Sequence, residues 1–129
     1  MDRIYTKIAA VLAVTIGVMA IFAGGQVLLL GKDPGYFVIN WLPVYNFVLG
    51  FVAVFVGVGL IWRGSRYALP AALAILGAHT LVMVLLQTSY QGIVSRDSIV
   101  AMTVRMVVWL VIVGLLLVQR RKDNRLPSA

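Results

Sequence analysis

Four stretches of the sequence, 8–30, 44–62, 68–90 and 98–118, are almost uniformly apolar, and each is long enough to cross a membrane. A hydrocarbon core of ~30 Å takes ~20 residues to cross as a helix. In lipid there is no water to satisfy backbone N–H and C=O groups, so runs of this length are helices that bond internally. The breaks between them carry turn chemistry: Gly31-Lys32-Asp33-Pro34-Gly35, Arg63-Gly64-Ser65-Arg66, and Gln91-Gly92 followed by Ser95-Arg96-Asp97. Pro43 and Pro70 fall in the first turns of the second and third helices, where a missing N–H is tolerated. Arg3 and Lys7 ahead of the first run would also suit a signal peptide. That run is long, however, and has no A-x-A cleavage site, so it reads as a retained span.

Charge supports the same class. Only 12% of the 129 residues are charged, against roughly a quarter in soluble domains. The net charge of +7 is spread between and beyond the apolar runs, which leaves no soluble basic face for nucleic acid. There is no cysteine, and with it no disulfide framework, thiolate metal site or dithiol chemistry. All four acids are Asp (Asp2, Asp33, Asp97 and Asp123), and none is embedded in a span. Proton-coupled carriers usually place a carboxylate inside the bundle, and dimeric multidrug exporters of this size rely on one in helix one. No Ser/His/Asp set, paired carboxylates or phosphate loop is present, so no catalytic residue is assigned. No internal repeat relates the two halves, which weighs against an inverted-repeat transporter.

Lys and Arg set the orientation. Arg3, Lys7, Arg63, Arg66, Arg120, Arg121, Lys122 and Arg125 fall on one side, and only Lys32 and Arg96 on the other. The bias places both termini in the cytoplasm. Trp41, Tyr36, Tyr45 and Tyr90 then gather at the outer interface, with Trp62 and Tyr67 at the inner one. The loop 31–42, with Tyr36, Phe37 and Trp41, reads as an interfacial segment that anchors the chain or covers an outward pocket. The tail 119–129 reads as basic and cytoplasmic.

Small residues mark where helices can approach. Ala9, Ala13 and Gly17 recur every fourth residue, followed by Ala20 and Gly24; the second helix has Ala53 and Gly57, the third Ala74 and Ala78. Such rows permit tight backbone packing, within the chain or between copies.

Arg105 is the only charge in the fourth run, and on insertion scales a mid-span Arg is unfavourable by ~2.5–3.5 kcal/mol. It lies eight residues past Asp97, about 12 Å deep at the helical rise, and its side chain leans toward the outer face. Gln26, Asn46 and Gln87 fall at similar height, with Thr103 beside Arg105 and Trp109 one turn below. This set serves either as glue between helices or as a site where Arg105 offers its donor fork to an anionic lipid, a quinone or another carbonyl-bearing ligand. His79 shares a face with Met83, Gln87 and Tyr90. One His with scattered Met residues is thin ground for haem or copper, and no metal site or cofactor is assigned.

Asn46-Phe47-x-x-Gly50-Phe51 with Gly57-x-Gly59-Leu60-x-Trp62-Arg63, and Ala101-Met102-Thr103-x-Arg105 with Val108-Trp109, resemble a group of small uncharacterised bacterial four-span membrane proteins. The likeness covers about residues 43–118. It implies that Asn46, His79 and Arg105 occupy recurrent positions, and it carries no activity. Ser95-Arg96-Asp97 departs from the acidic residue followed by Arg that the pattern leads one to expect.

The chain is thus expected to be a single all-α integral membrane domain, a four-helix transmembrane bundle of the bacterial inner membrane. Its expected role is non-catalytic: an accessory or assembly subunit of a larger membrane complex, or a self-assembling structural protein. The alternative is a small binding or transport protein with an outward polar pocket around Arg105. Lipid, other membrane subunits or further copies are the expected partners.

Overall fold

A computed structural model describes residues 4–30, 41–89, 92 and 96–125. They form α1 (Ile4–Leu30), α2 (Leu42–Val56) running on into a π-helical turn (Gly57–Ile61), α3 (Ala68–Gln87) and α4 (Arg96–Arg125). The four helices pack as a bundle, and each is long and apolar enough to cross a membrane. Around the ring, α1 packs most extensively on α2, and α4 packs on both α1 and α3. The α2–α3 seam is thinner. Across the diagonals α2–α4 and α1–α3 there is no close backbone approach among the described residues.

The start of α1, the α2–α3 connection and the last turns of α4 meet at one end of the bundle. There Lys7 Nζ lies 4.0 Å from the centroid of the Trp62 ring, and Lys122 Nζ 5.6 Å from that of Tyr5. This is the basic end; the opposite one is the Trp41 end. The α2–α3 turn closes with Gly64 N–H donating to the Ile61 carbonyl and Ser65 N–H to that of Leu60, both at 2.9 Å. Gly64 sits at φ 70°, a left-handed conformation that favours glycine. The sequence suggests an unbroken α-helix to Trp62, but the last turn is wider: Trp62 N–H reaches back five residues to Gly57 at 2.9 Å. Gly57, Val58 and Gly59 are weak α-formers, so little holds the tighter turn in place.

The small row of α1 lies against α2. A Cβ added to Gly17 would sit 2.8 Å from the Gly50 carbonyl oxygen, and one added to Gly50 would sit 2.7 Å from that of Gly17. The two backbones are therefore in direct contact, and van der Waals packing drives helix association where lipid removes the hydrophobic effect. On α3 the structure differs from the simplest reading of the small residues. Its buried face carries Ala68, Ala72, Ile75, His79, Val82, Met83 and Leu86, while Ala74 is exposed. Small residues occur on several sides of this helix, so spacing alone did not choose the face.

The outer surface is that of a lipid-facing protein. Phe22, Leu29 and Phe55 are 66, 73 and 80% exposed, far more apolar surface than a water-soluble monomer shows. Exposed Thr15, Thr80, Thr88 and Thr103 each donate to the carbonyl four residues back, at 2.7–2.8 Å, which hides their hydroxyls from lipid. Arg120, Arg121 and Lys122 continue α4 as helix to Arg125 rather than starting a separate tail, as good helix formers do. Tyr90, residues 31–40 of the first loop and the Asp97 side chain lie outside the described residues.

Candidate functional site

Two buried polar residues, Arg105 at 8% exposed and His79 at 4%, lie within the span. Arg105 comes from α4. Its Nη1 donates to Asn46 Oδ1 on α2, so one charge-assisted hydrogen bond bridges the diagonal that no backbone approach closes. His79 comes from α3, and its Nδ1 lies 2.7 Å from the Tyr45 hydroxyl on α2. A neutral imidazole has one donor and one acceptor nitrogen, so a single proton is shared between Tyr45 Oη and His79 Nδ1 in either tautomer. The two rings meet edge to face, with centroids 5.7 Å apart, and Trp41 packs edge-on against Tyr45 at 6.3 Å. Adjacent residues of α2 thus hold two different helices: Tyr45 ties α3 across the thin seam, and Asn46 ties α4 across the diagonal.

Asn46, His79, Arg105 and Trp109 line one residual cavity of about 10 Å³, with Gly17, Gly50 and Ala53 on its other walls. Trp109 is 1% exposed. That volume is at the limit for a single water. Toward the Trp41 end, a second cavity of about 60 Å³ touches Asn46 and Arg105 and is bounded by Ser98, Met102, Leu42 and Pro43.

The other candidates lie elsewhere. Gln87 is on the exposed flank of α3, where its Nε2 lies 3.5 Å from Met83 Sδ. Gln26 is half-buried on α1 and lines neither cavity. Thr103 faces outward and closes on its own helix. Met83 packs in an apolar cluster with Leu42, Val82, Leu86 and Met102, against which Trp41 and Tyr45 also lie. Among the described residues no group of three or more His, Cys, Asp or Glu comes together to hold a metal ion.

Tyr45 is the member that the sequence placed only in an aromatic belt. The available signal was chemical: a midspan His on an apolar helix needs a partner, and Tyr45 precedes Asn46 on a facing helix. Together the groups can fix helix positions strongly. One cationic fork bonded to an amide, and a Tyr–His hydrogen bond from the adjacent residue, tie three helices together.

No family model, curated protein or solved structure matches this chain. What its residues and packing establish is a small integral membrane protein with four spans.

Proposed function

We propose that the chain is a non-catalytic subunit of the bacterial inner membrane, with both termini cytoplasmic, that acts as an accessory or assembly component of a larger membrane complex or assembles with itself. The observation that carries this reading is the closure of the Arg105 cluster. Arg105 bonds to Asn46 and His79 to Tyr45, and the spaces beside them are about 10 and 60 Å³. Small-molecule pockets run to ~300–1,000 Å³. A quinone ring or lipid headgroup at Arg105 would have to separate helices that these bonds hold together, so the geometry favours an ordering role over a ligand pocket there. What the chain then offers to others is its lipid-facing surface. On α3 that surface includes Ala74 and Gly77, and a Cβ on Gly77 would meet nothing within 4 Å. A second helix can approach closely at such a place.

The test is extraction of a tagged full-length chain from its native membrane into mild detergent and into nanodiscs, followed by native mass spectrometry. Stoichiometric partner chains or a defined homo-oligomer are expected. Recovery as a monomer alone in both media overturns the reading, and a small molecule retained by wild type but lost in Arg105→Met would replace it with the binding-protein alternative.

A further inference from the structure

A second polar site lies at the basic end of the bundle, remote from the Arg105 cluster. A cavity of about 580 Å³ opens there between α1, α3 and α4, within the size range of ligand sites. Exposed Arg66 and Arg120 border it, and Leu73 and Leu116 line its apolar wall. Arg66 is held in place by its neighbour: its Nη2 donates to the Tyr67 hydroxyl at 2.8 Å, and the guanidinium lies 4.9 Å from that ring's centroid. The first turn of α3, Ala68 to Pro70, also lines the cavity. The independent observation is Thr6. The hydroxyls of Thr15, Thr80, Thr88 and Thr103 close on their own helices. Thr6, only 2% exposed, lines this cavity with an Oγ1 that has no hydrogen-bond partner. A buried hydroxyl without a partner is costly and marks a place where a polar group is missing.

We infer that this cavity binds the phosphodiester of an anionic phospholipid, with Arg66 and Arg120 at the phosphate, Thr6 Oγ1 as a buried donor and Leu73 and Leu116 against the acyl chains. Two guanidiniums favour a lipid of net negative charge: a zwitterionic headgroup carries the same phosphodiester, but with a quaternary ammonium that the two cations repel. Free phosphate would fill only the polar part of a cavity this large, whereas a lipid spans both its charged mouth and its apolar wall. The site stands whether or not the chain assembles with others.

The full-length protein in mild detergent is titrated with phosphatidylglycerol, phosphatidylcholine and inorganic phosphate, and bound lipid is read by native mass spectrometry. Phosphatidylglycerol is expected to bind at least about tenfold more tightly than phosphatidylcholine and to resist displacement by inorganic phosphate. Arg66→Gln with Arg120→Gln should weaken phosphatidylglycerol by roughly thirtyfold, at about fivefold per basic residue. Arg63→Gln with Arg121→Gln removes the same charge from the same end without touching the cavity, and should have much less effect. Thr6→Val keeps the side-chain shape and should weaken binding several-fold with helicity unchanged; it carries the test alone if the double arginine variant does not fold. Equal losses in the two double variants, equal binding of the two lipids, displacement by inorganic phosphate, or wild-type binding by Thr6→Val would each overturn the assignment.

Discussion

Replacing Gly17 or Gly50 by Ala should destabilise the bundle, although Ala is the better helix former. At Gly17 the new Cβ would lie 2.8 Å from the Gly50 carbonyl oxygen and 2.9 Å from Val54 Cγ2. At Gly50 it would lie 2.7 Å from the Gly17 oxygen and 2.8 Å from the Ile21 nitrogen. Ordinary contact begins near 3.4 Å, so the overlaps are about 0.6 and 0.7 Å. The obstructing atoms include backbone of the partner helix, which cannot rotate aside, so α1 and α2 must separate along their most extensive contact. Overpacking of this kind costs ~1–3 kcal/mol. The gain in helix propensity offsets at most ~1 kcal/mol of that. A net loss of about 1–2 kcal/mol is expected at each site. Gly114 provides the control, because a Cβ there meets nothing within 4 Å. Ala there should be neutral or stabilising by up to ~1 kcal/mol. Either variant should thus differ from Gly114→Ala by about 2 kcal/mol, roughly thirtyfold in the unfolding equilibrium. Reversible unfolding in mixed micelles, followed by circular dichroism, measures the difference. If Gly17→Ala proved as stable as Gly114→Ala, the backbone contact between α1 and α2 would not be where the bundle is held.

Other consequences are open to measurement. Asn46→Leu and Arg105→Met should each cost about 2–3 kcal/mol, since each strands one partner of a charge-assisted bond, and the double variant should cost clearly less than their sum. A coupling energy below ~0.5 kcal/mol would remove the diagonal bond as an organising contact. Tyr45→Phe deletes the hydroxyl that bonds His79 across the thinnest seam; a loss of about 1 kcal/mol and faster amide exchange at the Trp41 end of α2 and α3 are expected, and unchanged stability would refute the role. Because the chain has no cysteine, single thiols report its orientation. A membrane-impermeant maleimide should label exposed Thr88→Cys in intact cells and exposed Arg63→Cys only after permeabilisation, and the reverse pattern would invert the topology.

The number of spans was legible in the sequence because the bilayer imposes it: each apolar run, as a helix, matched the hydrocarbon thickness, and none shows the apolar–polar alternation of a barrel strand, the other structure that crosses lipid. The expense of Arg105 was legible for the same reason. Which face of each helix turns inward was not. In water, apolar periodicity marks the core, but here lipid accepts every face, so Ala74 and Ala72 look alike in the sequence and only packing buries the second. Depth along a helix is a one-dimensional quantity, and by depth alone Gln26, Gln87 and Asn46 were all level with Arg105. The tertiary structure selected Asn46 because α2 stands diagonally opposite α4 and presents that amide to the bundle axis, while Thr103 and Gln87 face outward. It also brought Tyr45 to His79 and opened a cavity around Thr6, two arrangements that depend on helix rotation. The sequence alone therefore determined that the chain crosses the membrane and how often. Rotation and mutual approach of the helices, governed by small residues and a few buried hydrogen bonds, decided which polar groups meet.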